Sequence, residues 1–157
     1  MKAEKIMTTD VATCRPEDSL NEAARIMWER DCGFVPVTAE TSDGRVVGIL
    51  TDRDVCMAAY TRGQRLGEIR VADVMSKDIH ACKATDDLDA VEEAMRGSQV
   101  HRLPVLDGDA RLLGVISLAD IAREAMREAG SRSRDVTAGE IGVTIAAICR
   151  PRAQAAA

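Results

Sequence analysis

Residues 45–54, Arg-Val-Val-Gly-Ile-Leu-Thr-Asp-Arg-Asp, return 66 positions later as residues 111–120, Arg-Leu-Leu-Gly-Val-Ile-Ser-Leu-Ala-Asp. Both copies keep a glycine, an apolar run, a hydroxyl and, three residues after the hydroxyl, an aspartate. Such a run predicts a short buried strand that passes directly into a helix. The duplication indicates that the chain is built from two copies of one unit.

The repeat extends upstream of these stretches at a shift of 68. Residues 6–37 align with residues 74–105 without a gap, and eight of these 32 positions are identical, among them the Pro-Val pairs at 36–37 and 104–105. The shift changes in the turn from Thr38 to Gly44, which is two residues longer than its partner from Leu106 to Ala110. Insertions collect in turns, which supports the alignment.

Each repeat is predicted to fold as β-α-β-β-α. In the first repeat the apolar patterns predict, in order, a strand at Val11–Cys14, a helix at Glu17–Arg30, strands at Phe34–Thr38 and Arg45–Leu50, and a helix at Asp54–Tyr60 that stops near Gly63. A capping box of Ser19 and Glu22 is expected to open the first helix. The second repeat has its helices at Asp87–Ser98 and Ala119–Ala129.

These elements predict an α/β (α+β) fold with two small domains, residues 1–66 and 67–130. A unit of about 60 residues buries little surface alone, so we expect the two to fold as one body, sheet against sheet. In residues 131–157 the polar linker Ser131-Arg132-Ser133-Arg134 precedes a short helix, Ala138 to Cys149, which Pro151 ends. This helix is expected to pack on the body or on a partner subunit.

Composition excludes several classes of function. The net charge of −5 gives no positive field for nucleic acid, and the three aromatic residues are too few for base stacking. No apolar run reaches the length of about 20 residues that a membrane span needs, and the N-terminus lacks a signal-peptide pattern. We therefore expect a cytoplasmic protein that binds neither nucleic acid nor membrane.

The two repeats resemble CBS domains, the accessory domains of cystathionine β-synthase, and together they resemble a Bateman module. The resemblance covers about residues 1 to 128 and rests on three marks in each copy: the opening Ile/Val-Met-Thr/Ser, the Leu/Val-Pro-Val strand, and the Gly-x-x-Thr/Ser-x-x-Asp segment. It implies a stand-alone, bacterial-type pair around a pseudo-twofold axis. It also implies two clefts that hold AMP, ATP, NAD or a related adenosyl ligand.

The resemblance further implies a regulatory role, with no catalytic residues and no cofactor. Two such pairs usually form a flat homodimer, so a homodimer is expected. Since no output domain is fused to the repeats, the ligand's effect would be read by an effector protein whose identity the sequence does not give. A ligand acts in this way only when it favours one arrangement of the module over another.

The resemblance assigns ligand contacts to both strand-to-helix junctions. The carboxylates of Asp54 and Asp120 would bind the ribose hydroxyls, the hydroxyls of Thr51 and Ser117 would bind ribose or phosphate, and Ile49 and Val115 would flank the adenine. The spacing alone leaves another interpretation open, because Thr-x-x-Asp and Ser-x-x-Asp are also capping boxes whose polar groups bind the helix backbone.

Cationic residues distinguish the two expected clefts. The resemblance implies that His101 and Arg102 contact phosphates. It also implies that Arg102 and Pro104, together with Arg53, line the cleft of Thr51 and Asp54. In the first repeat Gly33-Phe34 replaces His101-Arg102 and supplies no cation. The second cleft, with Val115, Ser117 and Asp120, is expected near Thr13, Phe34 and Pro36, and would hold only an adenosyl group or stay empty. A solvated Arg102 and a half-buried His101 at a strand edge remain the alternative.

Three other classes of function stay open. His80 and Cys82, with Cys14 at the matching position, could belong to a metal or redox sensor, although metal sites need three or four convergent ligands. Two cysteines at one strand position are more simply small core residues. The chain could also be an interaction scaffold with unoccupied clefts, whereas nothing in the spacing selects a catalytic nucleophile and base.

Overall fold

The structure, a computed structural model, describes residues 1–39, 44–130 and 135–151. The predicted linker at 131–134 and most of the predicted 38–44 turn lie outside the described residues. The fold is mixed α/β, as predicted, and in the described ranges the helices are α1 (Leu20–Glu29), α2 (Asp52–Arg62), α3 (Leu88–Ser98), α4 (Leu118–Glu128) and α5 (Ala138–Ile148). The strands are β1 (Phe34–Thr38), β2 (Val46–Thr51), β3 (Cys82–Lys83), β4 (Arg102–Leu106) and β5 (Leu112–Ser117). None of these helices has the length and apolar character needed to cross a bilayer.

Two compact units make up the described chain. The Asp54 unit contains residues 9–79 and 106–114, and the Asp120 unit contains residues 1–8, 80–105 and the chain from 115 onward. The Asp54 unit therefore holds most of the first repeat with two segments of the second, and the Asp120 unit holds most of the second repeat with one segment of the first.

In the Asp54 unit, strands β1 and β2 form an antiparallel pair with Phe34 opposite Thr51 and Pro36 opposite Ile49. Helices α1 and α2 pack against each other and against this pair. The buried core consists of aliphatic side chains and one thiol: Cys14, Leu20, Ala23, Met27, Val35, Val37, Leu50, Val55, Ala58, Ile69 and Val71. With few aromatic residues in the chain, this core is formed mainly by aliphatic side chains.

Strands β3, β4 and β5 form one sheet in that order, of which residues 82–83, 102–105 and 115–117 lie in the Asp120 unit. Helix α5 packs on α3 and α4, which confirms the predicted C-terminal helix and its packing on the body. The large buried side chains of this core are Leu88, Val91, Met95, Leu103, Val105, Ile116 and Ile121.

The opening segment of each repeat pairs with the Gly-containing strand of the other repeat. Thr8 and Val115 exchange two backbone hydrogen bonds of 2.9 Å, and Ser76 and Ile49 do the same at 2.9 Å. This exchange explains why the compact units differ from the sequence repeats.

Two local predictions are wrong. Residues 11–14 form no strand, because only Cys14 makes a bridge, to Val37. The capping box at α1 is half formed: Ser19 Oγ accepts a 3.3 Å hydrogen bond from the backbone N of Glu22. The Glu22 carboxylate instead accepts from Arg25 Nε at 3.1 Å, because that guanidinium lies one turn along the same helix.

A buried polar chain attaches α5 to α3. Glu92 is 2% exposed and Thr144 is fully buried. The Thr144 hydroxyl donates to Glu92 Oε2 and accepts a 2.8 Å hydrogen bond from Arg96 Nη1. Because a buried carboxylate without donors is strongly unfavourable, this chain fixes where α5 docks.

Replacing Thr144 with valine keeps the side-chain shape and removes the donor to Glu92. We expect the free energy of unfolding to fall by about 1–3 kcal/mol, and the melting temperature by roughly 3–10 °C, in a thermal denaturation experiment. The double variant Thr144→Val with Glu92→Met should recover part of the loss, because both polar groups are then absent. An unchanged melting temperature in Thr144→Val would contradict the role assigned to this chain.

Candidate functional site

The junction between β2 and α2 is closed by a complete capping box. The Asp54 Oδ2 atom accepts hydrogen bonds from the Thr51 backbone N at 2.9 Å and from the Thr51 hydroxyl at 2.6 Å. The Asp54 backbone N donates in turn to Thr51 Oγ1 at 3.3 Å. The box fixes the position of the Asp54 carboxylate at the first turn of the helix.

The junction between β5 and α4 has the same geometry. Asp120 Oδ2 accepts from the Ser117 backbone N at 2.8 Å and from its hydroxyl at 2.6 Å, and the Asp120 backbone N donates to Ser117 Oγ at 3.2 Å. Asp120 is 9% exposed. The capping interpretation that the spacing left open is therefore confirmed for both junctions.

A third box, at the start of α5, shows that this arrangement is by itself a helix cap. Glu140 Oε2 accepts from the Thr137 backbone N and hydroxyl, both at 2.7 Å, although sequence analysis places no ligand there. Capping engages only one oxygen of each carboxylate. The other oxygen decides what else the acid can bind.

The second carboxylate oxygens differ between the two repeats. Asp120 Oδ1 accepts a hydrogen bond from the Arg123 guanidinium. No donor in the described part of the chain bonds Asp54 Oδ1, and Asp54 is partly exposed. Arg123 is absent from the predicted site residues, because a side chain three residues along a helix becomes a neighbour only once the helix is formed.

The expected adenine-flanking residues lie beside the exchanged opening segments. Ile49 is bridged by Ser76, and Val115 by Thr8. A Cβ atom on Gly48 would lie 2.5 Å from Met75 Sδ and 3.1 Å from the Ser76 carbonyl oxygen. The glycine of the repeated motif thus admits this close backbone approach. The repeated Met-Thr/Ser opening was the signal that could have placed Thr8 and Ser76 here.

Thr13, Phe34 and Pro36 lie in the Asp54 unit. Phe34 is opposite Thr51 in the sheet, Pro36 is opposite Ile49, and the Pro36 carbonyl accepts a 3.2 Å hydrogen bond from the Cys14 backbone N, next to Thr13. These three residues therefore share a unit with Thr51 and Asp54. Their predicted contribution to the cleft of Ser117 and Asp120 stays a prediction.

His101, Arg102 and Pro104 lie in the Asp120 unit. The His101 carbonyl accepts a 2.9 Å hydrogen bond from the backbone N of Leu118, the first residue of α4. The side chains of His101 and Arg102 are exposed, and Pro104 is buried. Their predicted contribution to the cleft of Thr51 and Asp54 stays a prediction.

The start of α2 lies close to Gly33, which stands where the second repeat has His101. A Cβ atom on Gly33 would lie 2.5 Å from Asp52 Oδ2. Asp52 Oδ1 accepts a 2.7 Å hydrogen bond from the Arg53 backbone N, so this carboxylate caps the helix and occupies the space. Arg53 itself is exposed. The Asp52 charge disfavours a phosphate at this helix terminus.

Cys14 and Cys82 are buried in the cores, as predicted for small core residues. Burial raises the pKa of the Cys14 thiol to about 12, with a further contribution from the negative charge of Asp18. Burial likewise raises the pKa of the Cys82 thiol to about 11, with a contribution from Asp86. Among the described residues no group of three or more His, Cys, Asp or Glu side chains is arranged to hold a metal ion.

Sequence comparison matches the chain to known proteins over most of its length. A family model described as CBS domain matches twice, over residues 3–60 and 71–127. The CBS domain-containing protein YhcV of Bacillus subtilis is 33% identical over 133 residues, covering 83% of this chain and 91% of that protein. Hypoxic response protein 1 of Mycobacterium tuberculosis is 29% identical over 153 residues, covering 98% and 97%. For two further relatives, both enzymes, the chain spans only 23% and 28% of their length.

Solved structures of CBS pairs have the same fold. The structure of hypoxic response protein I with two coordinated zinc ions is similar at a TM-score of 0.70 and 29% identity, over 78% of this chain and 98% of that one. The CBS domain pair of protein MJ0100, in complex with 5-methylthioadenosine and S-adenosyl-L-methionine, gives a TM-score of 0.69 at 22% identity, over 78% and 94%. At that identity the second likeness concerns the fold alone.

Thiol labelling tests the assignment of the cysteines. At pH 8 we expect a disulfide reagent to modify the exposed Cys56 and Cys149 quickly, and to modify Cys14 and Cys82 only after denaturation, because the reactive species is the thiolate. Mass spectrometry of partly labelled protein would locate the label. Rapid labelling of Cys14 or Cys82 in the folded protein would instead favour a redox role.

Proposed function

Because this chain belongs to the CBS domain family, we propose that it is a regulatory module that binds an adenine nucleotide or a related adenosyl ligand. The observation that carries the proposal is the duplicated junction at which a capping box holds an aspartate in place. The Asp54 carboxylate has one oxygen engaged by the cap and a second that no described donor occupies.

The chemistry of that oxygen suits a ribose. An ionised carboxylate only accepts hydrogen bonds, and the two hydroxyls of a ribose are donors. Because the cap already fixes the Asp54 side chain, little side-chain entropy is lost when the sugar binds. The Thr51 hydroxyl donates to the carboxylate and accepts from the helix, so a contact with the ligand would use its remaining lone pair.

The proposed ligand at Asp54 is held by its sugar and base more than by phosphate. Ile49 supplies an apolar edge for the adenine, while Asp52 places a negative charge at the start of α2. Phosphate groups would depend on side-chain cations, for which we propose Arg53, His101 and Arg102. Val115, Ser117 and Asp120 form the corresponding set in the second repeat.

A regulatory role is proposed rather than catalysis. The bound ligand would favour one geometry of the module or of its dimer, and an effector protein would recognise that geometry. An interaction scaffold with unoccupied clefts is the second candidate, and it differs in having no ligand. The cytoplasmic location stays a prediction from sequence.

Thermal stability with added ligand distinguishes these candidates. At 100 times its Kd, a ligand that binds only the folded state stabilises it by about 2.7 kcal/mol, which should raise the melting temperature by roughly 5–10 °C. The compounds to compare are AMP, ADP, ATP, NAD, S-adenosylmethionine and cyclic dinucleotides, with zinc chloride added to test the metal-sensor alternative. Asp54→Ala should remove the part of the shift that comes from the Asp54 site.

The cap at α5 provides the matched control for that variant. Asp54→Ala also breaks a capping box, which costs about 0.5–2 kcal/mol without any ligand. Glu140→Ala breaks the same kind of box at α5 and should lower the melting temperature while keeping the full ligand shift. If no adenosyl compound changes the melting curve of the unsubstituted chain, the scaffold interpretation replaces this one.

We also propose that the module acts as a homodimer through the outer face of α1 and α2. Trp28 is 87% exposed on α1, and Tyr60 is 82% exposed on α2, which packs against it. In the repeat alignment Trp28 corresponds to Arg96, which contacts Thr144 of α5. Around Arg96 the Asp120 unit is thus covered by α5, whereas the surface around Trp28 is bare, and we assign a second copy of the chain to that surface.

Replacing Trp28 with lysine tests this interface. A buried tryptophan at the centre of an interface contributes about 2 kcal/mol or more, so the dimer Kd should rise roughly thirtyfold in sedimentation or light-scattering measurements. Met126→Lys, at the position equivalent to Tyr60 and 72% exposed, is the control and should leave association unchanged. Equal association of the two variants would place the interface elsewhere.

A further inference from the structure

The two aspartates of the duplicated junction differ in one contact. Both have Oδ2 engaged by a capping box, but Asp120 Oδ1 is also bonded by the Arg123 guanidinium. In the repeat alignment the position of Arg123 is occupied by Met57 in the first repeat. A thioether cannot donate a hydrogen bond, so Met57 leaves Asp54 Oδ1 to other donors.

We infer that Arg123 restrains ligand binding at Asp120, so that the chain binds its first adenosyl ligand at Asp54. This inference rests on the proposed function, in which each aspartate accepts the ribose hydroxyls. At Asp54 the hydroxyl meets an oxygen that no described donor occupies. At Asp120 both oxygens already accept hydrogen bonds, and the ribose must share Oδ1 with a guanidinium or displace it, at a carboxylate that is 9% exposed.

Arg123 is expected to weaken ligand binding at Asp120 only modestly. Arg123 is 72% exposed, so water can solvate the displaced guanidinium and the ion pair has the modest strength of a surface pair. Asp120 loses a charged donor and gains neutral ones, which leaves the exchange unfavourable. We expect the pair to weaken binding at Asp120 about two- to fivefold, which is 0.4 to 1 kcal/mol at 1.4 kcal/mol per tenfold.

Isothermal titration of paired variants isolates this effect. In an Asp54→Ala background only the Asp120 site remains, and adding Arg123→Met should lower its Kd two- to fivefold. AMP is the first probe, followed by S-adenosylmethionine and ATP if AMP gives no heat. Met57→Arg in the unsubstituted chain should weaken the Asp54 site by a similar factor, and light scattering would establish that its oligomeric state is unchanged.

Helix α4 supplies the matched control. Arg127 is 68% exposed and pairs with Glu124 three residues earlier, the same spacing one turn farther along the helix. Arg127→Met removes the same charge without touching Asp120, so it should leave the Kd of the Asp54→Ala protein unchanged.

The outcomes separate this inference from the function on which it rests. An unchanged or higher Kd in Asp54→Ala with Arg123→Met overturns the restraint while ligand binding stands, since Arg123 would then be neutral or would attract the phosphate. An equal decrease in Kd from Arg127→Met also overturns it, because the change would then follow from removing a positive charge anywhere on α4. Absence of heat with all three probes in the unsubstituted chain overturns the proposed function together with the restraint.

Discussion

The hydrogen bonds from the Thr51 and Ser117 backbone N atoms to the following aspartates are the constraint on which the rest depends. Each bond fixes the angle at which a buried strand turns into a helix. Each bond also fixes one carboxylate oxygen at the first turn of that helix. A side chain held in this way is prepared for a ligand, because its position does not depend on the ligand's presence.

The two copies of this junction are related but unequal. The backbone bridges that bring Ser76 to Ile49 and Thr8 to Val115 are alike in length and number. The side chains around them differ: Gly33 and Asp52 stand in one repeat where His101 and Leu118 stand in the other. A side chain at position 33 would approach the Asp52 carboxylate, which would then have to move.

Much of the fold could be predicted from the sequence, because its strongest signals are local. Strand β1 has the predicted bounds, whereas α3 differs from its prediction by one residue at its start and α4 by one residue at each end. These elements have clear apolar patterns in the sequence. The predicted strand at 11–14 is wrong because its short apolar run makes only a single bridge, and a bridge partner distant in sequence leaves no local pattern.

The candidate site was predictable in its residue types and less so in its contacts. The spacing of Thr51 and Asp54 fitted both a cap and a ligand site, and the structure shows that these uses need not compete, since the cap takes one oxygen. The pairing of Arg123 with Asp120 could not be read from sequence, because arginine at this spacing also pairs with solvent or with other acids. Glu22 illustrates this, since it bonds Arg25 and leaves its expected cap unfilled.

A capping acid that also binds ligand couples stability to function. Loss of the Asp54 carboxylate would loosen the first turn of α2 and remove the proposed ribose contact together, whereas loss of Glu140 would loosen only α5. A substitution one turn along the helix, as at positions 57 and 123, changes the second carboxylate oxygen and leaves the cap intact. Selection could therefore adjust ligand preference in each repeat separately without disturbing the strand-to-helix junction that both copies need in order to fold.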